Sequence, residues 1–269
     1  MSNVELLLPE SIEPDFAAMV TVVPPHRFPL AQPSRRRVRA SRAKKRRPPV
    51  SLVRRHLDAG TALVRPAGNT ALAYRAAKRI LDILGALALL ILLGPLMLAI
   101  CAAVCVTTRG RPLFVQRRAG YLGRPFALVK FRTMRPDADR IKHMVKNEKE
   151  GPVFKNRHDP RVTRLGRLLR KTSLDETPQL LHVLLGQMSL VGPRPLDVNE
   201  LVRFEAWQRG RLAVKPGLTC LWQVSGRCEV PFIDSVRMDL WYVRHQNLWT
   251  DCALLARTPW SVLSGRGAY

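Results

Sequence analysis

Acid is what this sequence has least of. Asp and Glu number 20 in 269 residues, against 45 Lys and Arg, for a formal charge of +25. That imbalance is extreme for a metabolic enzyme and requires an anionic partner: nucleic acid, acidic lipid or a phosphorylated substrate. Cysteine is scarce and unpatterned. Cys101, Cys105, Cys220, Cys228 and Cys252 form no C-x-x-C pair and stand at no zinc-like spacing with His. A disulfide framework and a structural zinc site are thereby excluded, and free thiols in a reducing compartment are expected. Met1 is followed by Glu5 and Glu10 rather than by a basic stretch, so no cleavable signal is expected. No internal repeat is present.

Charge is absent altogether from Ile83 to Val106. As a helix this stretch is roughly 36 Å long, enough for a bilayer, and it lacks the polar face of a soluble core helix. Membrane insertion is therefore expected. Gly94-Pro95 falls inside it, where proline removes a backbone donor and kinks the helix. Basic residues flank both ends, Arg75, Lys78 and Arg79 before it and Arg109, Arg111, Arg117 and Arg118 after it. The positive-inside rule gives such a segment no orientation. A helix that breaks at Gly94-Pro95 and returns to the face it entered from resolves the conflict; a kinked spanning helix is the alternative.

Before this stretch, residues 1–74 form a Pro-rich tail, nearly polycationic from Arg35 to Arg55. It is expected to be disordered, with too little apolar surface to offset its ordering entropy. Its basic runs suit nucleic acid or anionic lipid, each charge near a lipid surface contributing ~1 kcal/mol; the apolar segment favours lipid. After the membrane stretch, residues 112–120 and 126–134 read as short strands with Gly120 and Gly123 marking the turn. Residues 137–149 are charged and helical in character. Thr163 reads as the N-cap of a helix with Leu165, Leu168 and Leu169 on its apolar side and Arg164, Arg167 and Arg170 along one face. All five tryptophans fall in the last third, interspersed with arginine. That pattern suits amphipathic segments on the membrane as well as ordinary core packing.

Two adjacent acids, Asp175 and Glu176, sit among Arg161, Arg164, Arg167, Arg170, Lys171 and Arg194. Proline is tolerated only in the first helical turn, so Pro178 places Asp175 at the N-cap of a helix running to Gly186. A capping aspartate is usually structural. A helix N-terminus also keeps a carboxylate ionised and attracts phosphate, and the arginines point the same way.

The chain resembles the bacterial sugar transferases, the monotopic phosphoglycosyl transferases that load polyprenyl phosphate with hexose-1-phosphate at the start of surface-polysaccharide assembly. The resemblance covers residues 76–269. It rests on Lys78-Arg-Ile-Leu-Asp82, Lys130-Phe-Arg-Thr-Met134, Asp159-Pro-Arg-Val-Thr163, Arg170-Lys-Thr-Ser-Leu-Asp-Glu-Thr-Pro-Gln179, Met188-Ser-Leu-Val-Gly-Pro-Arg-Pro195, Lys215-Pro-Gly-Leu-Thr219 and Leu221-Trp-Gln-Val-Ser-Gly-Arg227. It implies a mostly helical α+β fold: a re-entrant membrane hairpin over 75–108, then a compact cytosolic catalytic domain over 109–269 with short strands and amphipathic interfacial helices.

It further implies that Asp175 and Glu176 are the catalytic dyad and hold Mg²⁺, and that Arg170 and Arg194 bind phosphate. Implied substrates are a UDP-hexose, glucose favoured over galactose, and undecaprenyl phosphate. The reaction passes through a phosphosugar-aspartate and releases UMP. The implied location is the cytoplasmic face of the bacterial inner membrane, on anionic lipid, without nucleic acid; a homo-oligomer is compatible with it. Cys220 and His182 replace the family's usual glycine and asparagine, and Gly94 its serine.

Overall fold

The computed structural model describes residues 72–148, 151–265 and 267–268. The expectation for the tail therefore lies almost wholly outside the described residues. The chain enters on helix α1, Leu72–Thr108, whose 37 residues run through Pro95 as one helical element. Its burial comes in two patches. Asp82 and Ala86 are buried near the start and Ile100, Val104 and Thr108 near the end, while Leu84, Leu87, Ile91, Leu92, Leu96 and Leu98 between and around them are exposed.

The first patch is pinned by polar groups. Lys78 Nζ lies 2.8 Å from Asp251 and Asp82 accepts from Ser189 Oγ and Leu190 N. Arg79 donates to the carbonyls of Val183 and Leu184. The second patch is apolar, Ile100 and Val104 packing with Phe131 and Leu169. Each fully buried aliphatic side chain here stabilises by about 1.5–3 kcal/mol.

Strands β1 (Leu113–Ala119) and β2 (Pro125–Phe131) form the expected hairpin, with Leu113 opposite Phe131 and Ala119 opposite Pro125. Gly123, at φ 73°, makes the turn. Of the helix expected over 137–149, residues 137–148 are described, and they form turns with a single 3₁₀ segment at Lys142–Met144. Of its apolar residues Ala138, Ile141, Met144 and Val145 only Ala138 is buried, so little apolar packing holds a helix down. Side-chain bonds take over instead, Asn147 Oδ1 accepting from Lys155 N and Glu148 from Arg157 N.

Helix α2, Arg164–Lys171, is capped as expected, Thr163 Oγ1 accepting from Gly166 N at 2.9 Å. Its expected faces are only partly right. Leu169 is buried but Leu168 is 57% exposed, and Arg164 and Arg167 face outward while Arg170 turns inward. The helix is short and docks by one edge, so a three-residue spacing does not keep its arginines together.

Next come a 3₁₀ turn, Leu174–Gln179, and helix α3, Leu180–Leu184. Strands β3 (Ser189–Val191) and β5 (Gly217–Thr219) pair in parallel, while β4 (Leu196–Asp197) joins the edge of β1. Helix α4, Val198–Leu201, follows β4. The two glycine-proline motifs meet here. A Cβ on Gly217 would lie 2.0 Å from Gly192 N, so only glycine lets these backbones touch. Helices α5 (Leu221–Ser225), α6 (Phe232–His245) and α7 (Leu248–Ser264) close the domain. Phe204, Phe232, Val236, Leu240 and Val243 form the centre of the main core with Leu196, Leu201 and Leu212. Among the tryptophans, Trp241 is buried and Trp222 half-buried, while Trp249 and Trp260 on α7 are 74% and 77% exposed. Core packing and surface display thus each claim part of the set.

Candidate active site

The dyad does not sit at the cap. Ser173 precedes the 3₁₀ turn and Asp175 and Glu176 lie within its first turn. An α-helix capped by Asp175 would start one residue later, at Glu176; the observed element already starts at Leu174. The chain tightens to 3₁₀ instead, and the Leu174 carbonyl accepts from Thr177 Oγ1 at 2.9 Å. Ser173 takes up the change with φ 55°, ψ 14°, a left-handed conformation costing a non-glycine on the order of 1 kcal/mol. Its N–H donates to Arg170 O and its carbonyl accepts from Glu176 N, which hold it there.

Both acids line one cavity of about 350 Å³, together with Arg118, Lys130, Arg132, Arg161, Arg170, Arg194 and Arg227. The structure therefore brings together all four residues expected to act on phosphate. Arg170 is aimed by its neighbour on the strand exit, its Nε donating to Thr133 Oγ1 at 3.0 Å. That contact depends on Gly166, where a Cβ would fall 2.0 Å from the Thr133 carbonyl oxygen. Arg194 leaves the β3–β5 junction, where Gly217 N donates to Pro193 O at 2.9 Å. Its guanidinium takes both oxygens of Glu176, Nη1 to Oε2 at 3.1 Å and Nη2 to Oε1.

The two acids are consequently unlike. Burial pushes Glu176 upward, but the charge and hydrogen bonds of Arg194 outweigh it and hold this carboxyl below the usual glutamate range. Asp175, 6% exposed, receives no hydrogen bond from any described residue. Burial, and after it the charge of Glu176, push its carboxyl above the aspartate range against the pull of Lys130, Arg170 and Arg194. Two adjacent acids with pKa values driven apart are the pattern of a divided role.

Four further residues line the site; in the sequence Lys130 and Asp159 stood only within motifs, and Arg118 and Arg161 only within motifs or basic runs. Lys130 on β2 is pushed down to about 8 by burial, with Asp175's charge pulling back, and its ammonium stands 5.6 Å from the Phe114 ring centre. Arg118 donates to Pro195 O and Gln116 Oε1, while its Nε has no partner among the described residues. Asp159 and Arg161 pair within the wall, Nη2 to Oδ2 at 2.6 Å, and Arg161 lies over Phe154. The available signal was the alternation in Lys130-Phe-Arg-Thr, which puts successive side chains on opposite faces of a strand. His182 stays away from the dyad but accepts from Val129 N at 3.1 Å, which steadies β2 next to Lys130.

Magnesium is bound by one or two carboxylates together with substrate phosphates and water. An aspartate free of hydrogen bonds beside a second carboxylate, in a wall rich in phosphate-binding cations, fits that mode. Planar guanidinium groups fit phosphate oxygens two at a time.

Residues 73–265 match the family model described as bacterial sugar transferase. Over 196 residues the chain is 43% identical to the galactosyl transferase CpsE of Streptococcus agalactiae, covering 71% of this chain and 43% of that one. It is 39% identical over 215 residues to the exopolysaccharide production protein ExoY of Rhizobium meliloti, covering 78% of this chain and 92% of that one. It is also 36% identical over 200 residues to the UDP-glucose:undecaprenyl-phosphate glucose-1-phosphate transferase of Klebsiella pneumoniae, covering 71% and 41%. The match thus spans less than half the length of the streptococcal and Klebsiella relatives.

Proposed function

The chain belongs to the bacterial sugar transferase family, and on that footing we propose that it moves hexose-1-phosphate from a UDP-hexose to undecaprenyl phosphate. UMP leaves, undecaprenyl diphosphate-hexose forms, and the product opens exopolysaccharide synthesis. Glucose is the favoured hexose, with galactose the alternative. The observation that carries this reading is the unequal dyad: one carboxylate without hydrogen bonds and facing Lys130 and Arg170, the other clamped by Arg194.

In the first step an Asp175 carboxylate oxygen forms a bond to the β-phosphorus of the UDP-hexose. The bond from that phosphorus to the bridging oxygen breaks, and its electron pair leaves with UMP. In the second step an oxygen of the lipid phosphate attacks the same phosphorus, the aspartyl O–P bond breaks and Asp175 is regenerated as a carboxylate. A carboxylate of raised pKa is the better nucleophile of the two, while Glu176, tied up by Arg194, positions that arginine against phosphate. Asp175, with Glu176 beside it, would hold Mg²⁺, which when bound neutralises phosphate charge.

The re-entrant reading of α1 is supported by its two buried patches. Both pack on the same catalytic domain, and Ala86 and Ile100 are separated by 14 positions, roughly 21 Å of helix. The hydrocarbon core is ~30 Å thick, so the exposed stretch between them is too short to cross it. On this reading α1 enters and leaves the cytoplasmic leaflet of the inner membrane, and the dyad works near the headgroup plane, where a lipid phosphate presents itself. The proposed chemistry is tested by UMP release from UDP-glucose and UDP-galactose with undecaprenyl phosphate and Mg²⁺. Asp175→Asn is expected to lose on the order of 10³-fold or more; undiminished turnover in that variant would remove Asp175 as nucleophile.

A further inference from the structure

One cavity must receive two phosphate-bearing substrates, one from solution and one from the membrane, if the reaction proposed above holds. Its lining gives the two a direction. Along β1 the cavity-facing residues are Phe114, Gln116 and Arg118. Phe114 lies two residues beyond Pro112, on the segment by which α1 leaves the membrane; Arg118 is four residues further, roughly 13 Å along the strand. Arg118 donates to the carbonyl of Pro195, next to Arg194, so those two arginines mark the far end. The near end is marked by Arg132. Its backbone N–H donates to Pro112 O at 2.7 Å and its Nε to Arg111 O at 2.9 Å, which seats it on the exit of α1.

We infer that Arg132, standing between the exit of α1 and the Thr133–Arg170 contact, is the first cation to receive the phosphate of the lipid acceptor, in a subsite separate from Arg118 and Arg194. Three observations support it. Arg132 lines the cavity yet forms no ion pair with a carboxylate among the described residues, so its charge is available to a ligand. Its chain neighbour Thr133 accepts from Arg170, and all three line the cavity with Asp175. Exposed apolar side chains stand on the elements that lead to it, Val106 near the end of α1 at 78% and Leu168 on α2 at 57%. A lipid phosphate that keeps its chain in the membrane reaches the near end before the far one. Arg132 makes and breaks no bond in the transfer; it binds and orients the attacking oxygen.

The inference rests on the proposed reaction, and the two half-reactions separate their fates. Full-length protein would be reconstituted in phosphatidylethanolamine–phosphatidylglycerol liposomes. The burst of UMP from UDP-hexose alone reports the first half, and product formation on added undecaprenyl phosphate the second. Arg132→Gln keeps an N–H for the Arg111 carbonyl and removes the charge; Arg132→Lys keeps the charge. The expected result is a UMP burst that changes much less than lipid-dependent transfer in both variants. The KM for undecaprenyl phosphate should rise roughly ten- to hundredfold in Arg132→Gln, the range for losing one charge-assisted bond, with Arg132→Lys much nearer wild type. A burst that falls in step with transfer, an unchanged KM for the lipid, or equal failure of Lys and Gln would overturn the assignment. A wild-type protein that gives no UMP burst would instead overturn the proposed covalent reaction.

Discussion

Lys130 gives the reaction an alkaline limit. Its ammonium is pushed down to about 8 by burial, with the charge of Asp175, the proposed nucleophile, pulling back. The charged form steadies both Asp175 and the incoming phosphates, so activity is lost as pH rises through this value. At pH 7 about nine-tenths of Lys130 is protonated and at pH 9 about one-tenth, so kcat/KM should fall roughly tenfold between them. Lys130→Arg places a cation there that does not titrate in this range, and its residual activity should stay level to pH 9.5. Lys130→Met should be slow and without an alkaline limb. The assay is initial-rate UMP release at subsaturating UDP-hexose from pH 6 to 9.5. A wild-type profile flat to pH 9.5, or the same limb in Lys130→Arg, would refute the reasoning. The acid side has the opposite sign: the proposed attack needs Asp175 ionised, so activity should fall as pH drops through a carboxyl pKa raised above the ordinary aspartate range.

Lys78→Ala should cost about 3–5 kcal/mol in unfolding measured in detergent, because it leaves fully buried Asp251 with only the Tyr74 and Tyr242 hydroxyls. The double variant Lys78→Met, Asp251→Leu should recover much of that loss; no recovery would count against an electrostatic origin. Gly166→Ala forces α2 away from Thr133 and withdraws Arg170, with transfer expected to fall on the order of 10²-fold while the membrane helix stays inserted. Arg75→Cys and Arg109→Cys, each in a cysteine-free background, should be labelled by an impermeant maleimide from the same face of inverted vesicles; labelling from opposite faces would exclude the re-entrant helix.

The main segments of the fold were legible because their signals are local. The uncharged run from Ile83 to Val106, the glycines between β1 and β2 and the Thr163 cap each need only neighbouring residues to be recognised. The dyad and its arginines were legible as residue types, although acids among arginines also form structural pairs, as Asp159 and Arg161 do. Local reasoning failed where two local solutions compete. Residues 137–149 had helical composition with little apolar surface that became buried, and Pro178 is compatible with the first turn of an α-helix or of a 3₁₀ segment, here one whose Leu174 carbonyl accepts from Thr177 Oγ1.

The two carboxylates that are adjacent in the chain were therefore given by sequence as a pair, but not as an unequal pair. That inequality was decided by Arg194, 18 residues on, reaching Glu176 from a junction where Gly192 and Gly217 touch. Lys78 and Asp251, 173 residues apart, were paired the same way, and so were Arg132 and the exit of α1. A charge's pKa and partner depend on what folding brings within a few ångströms and on how much water it removes. Neither is written in the residues on either side.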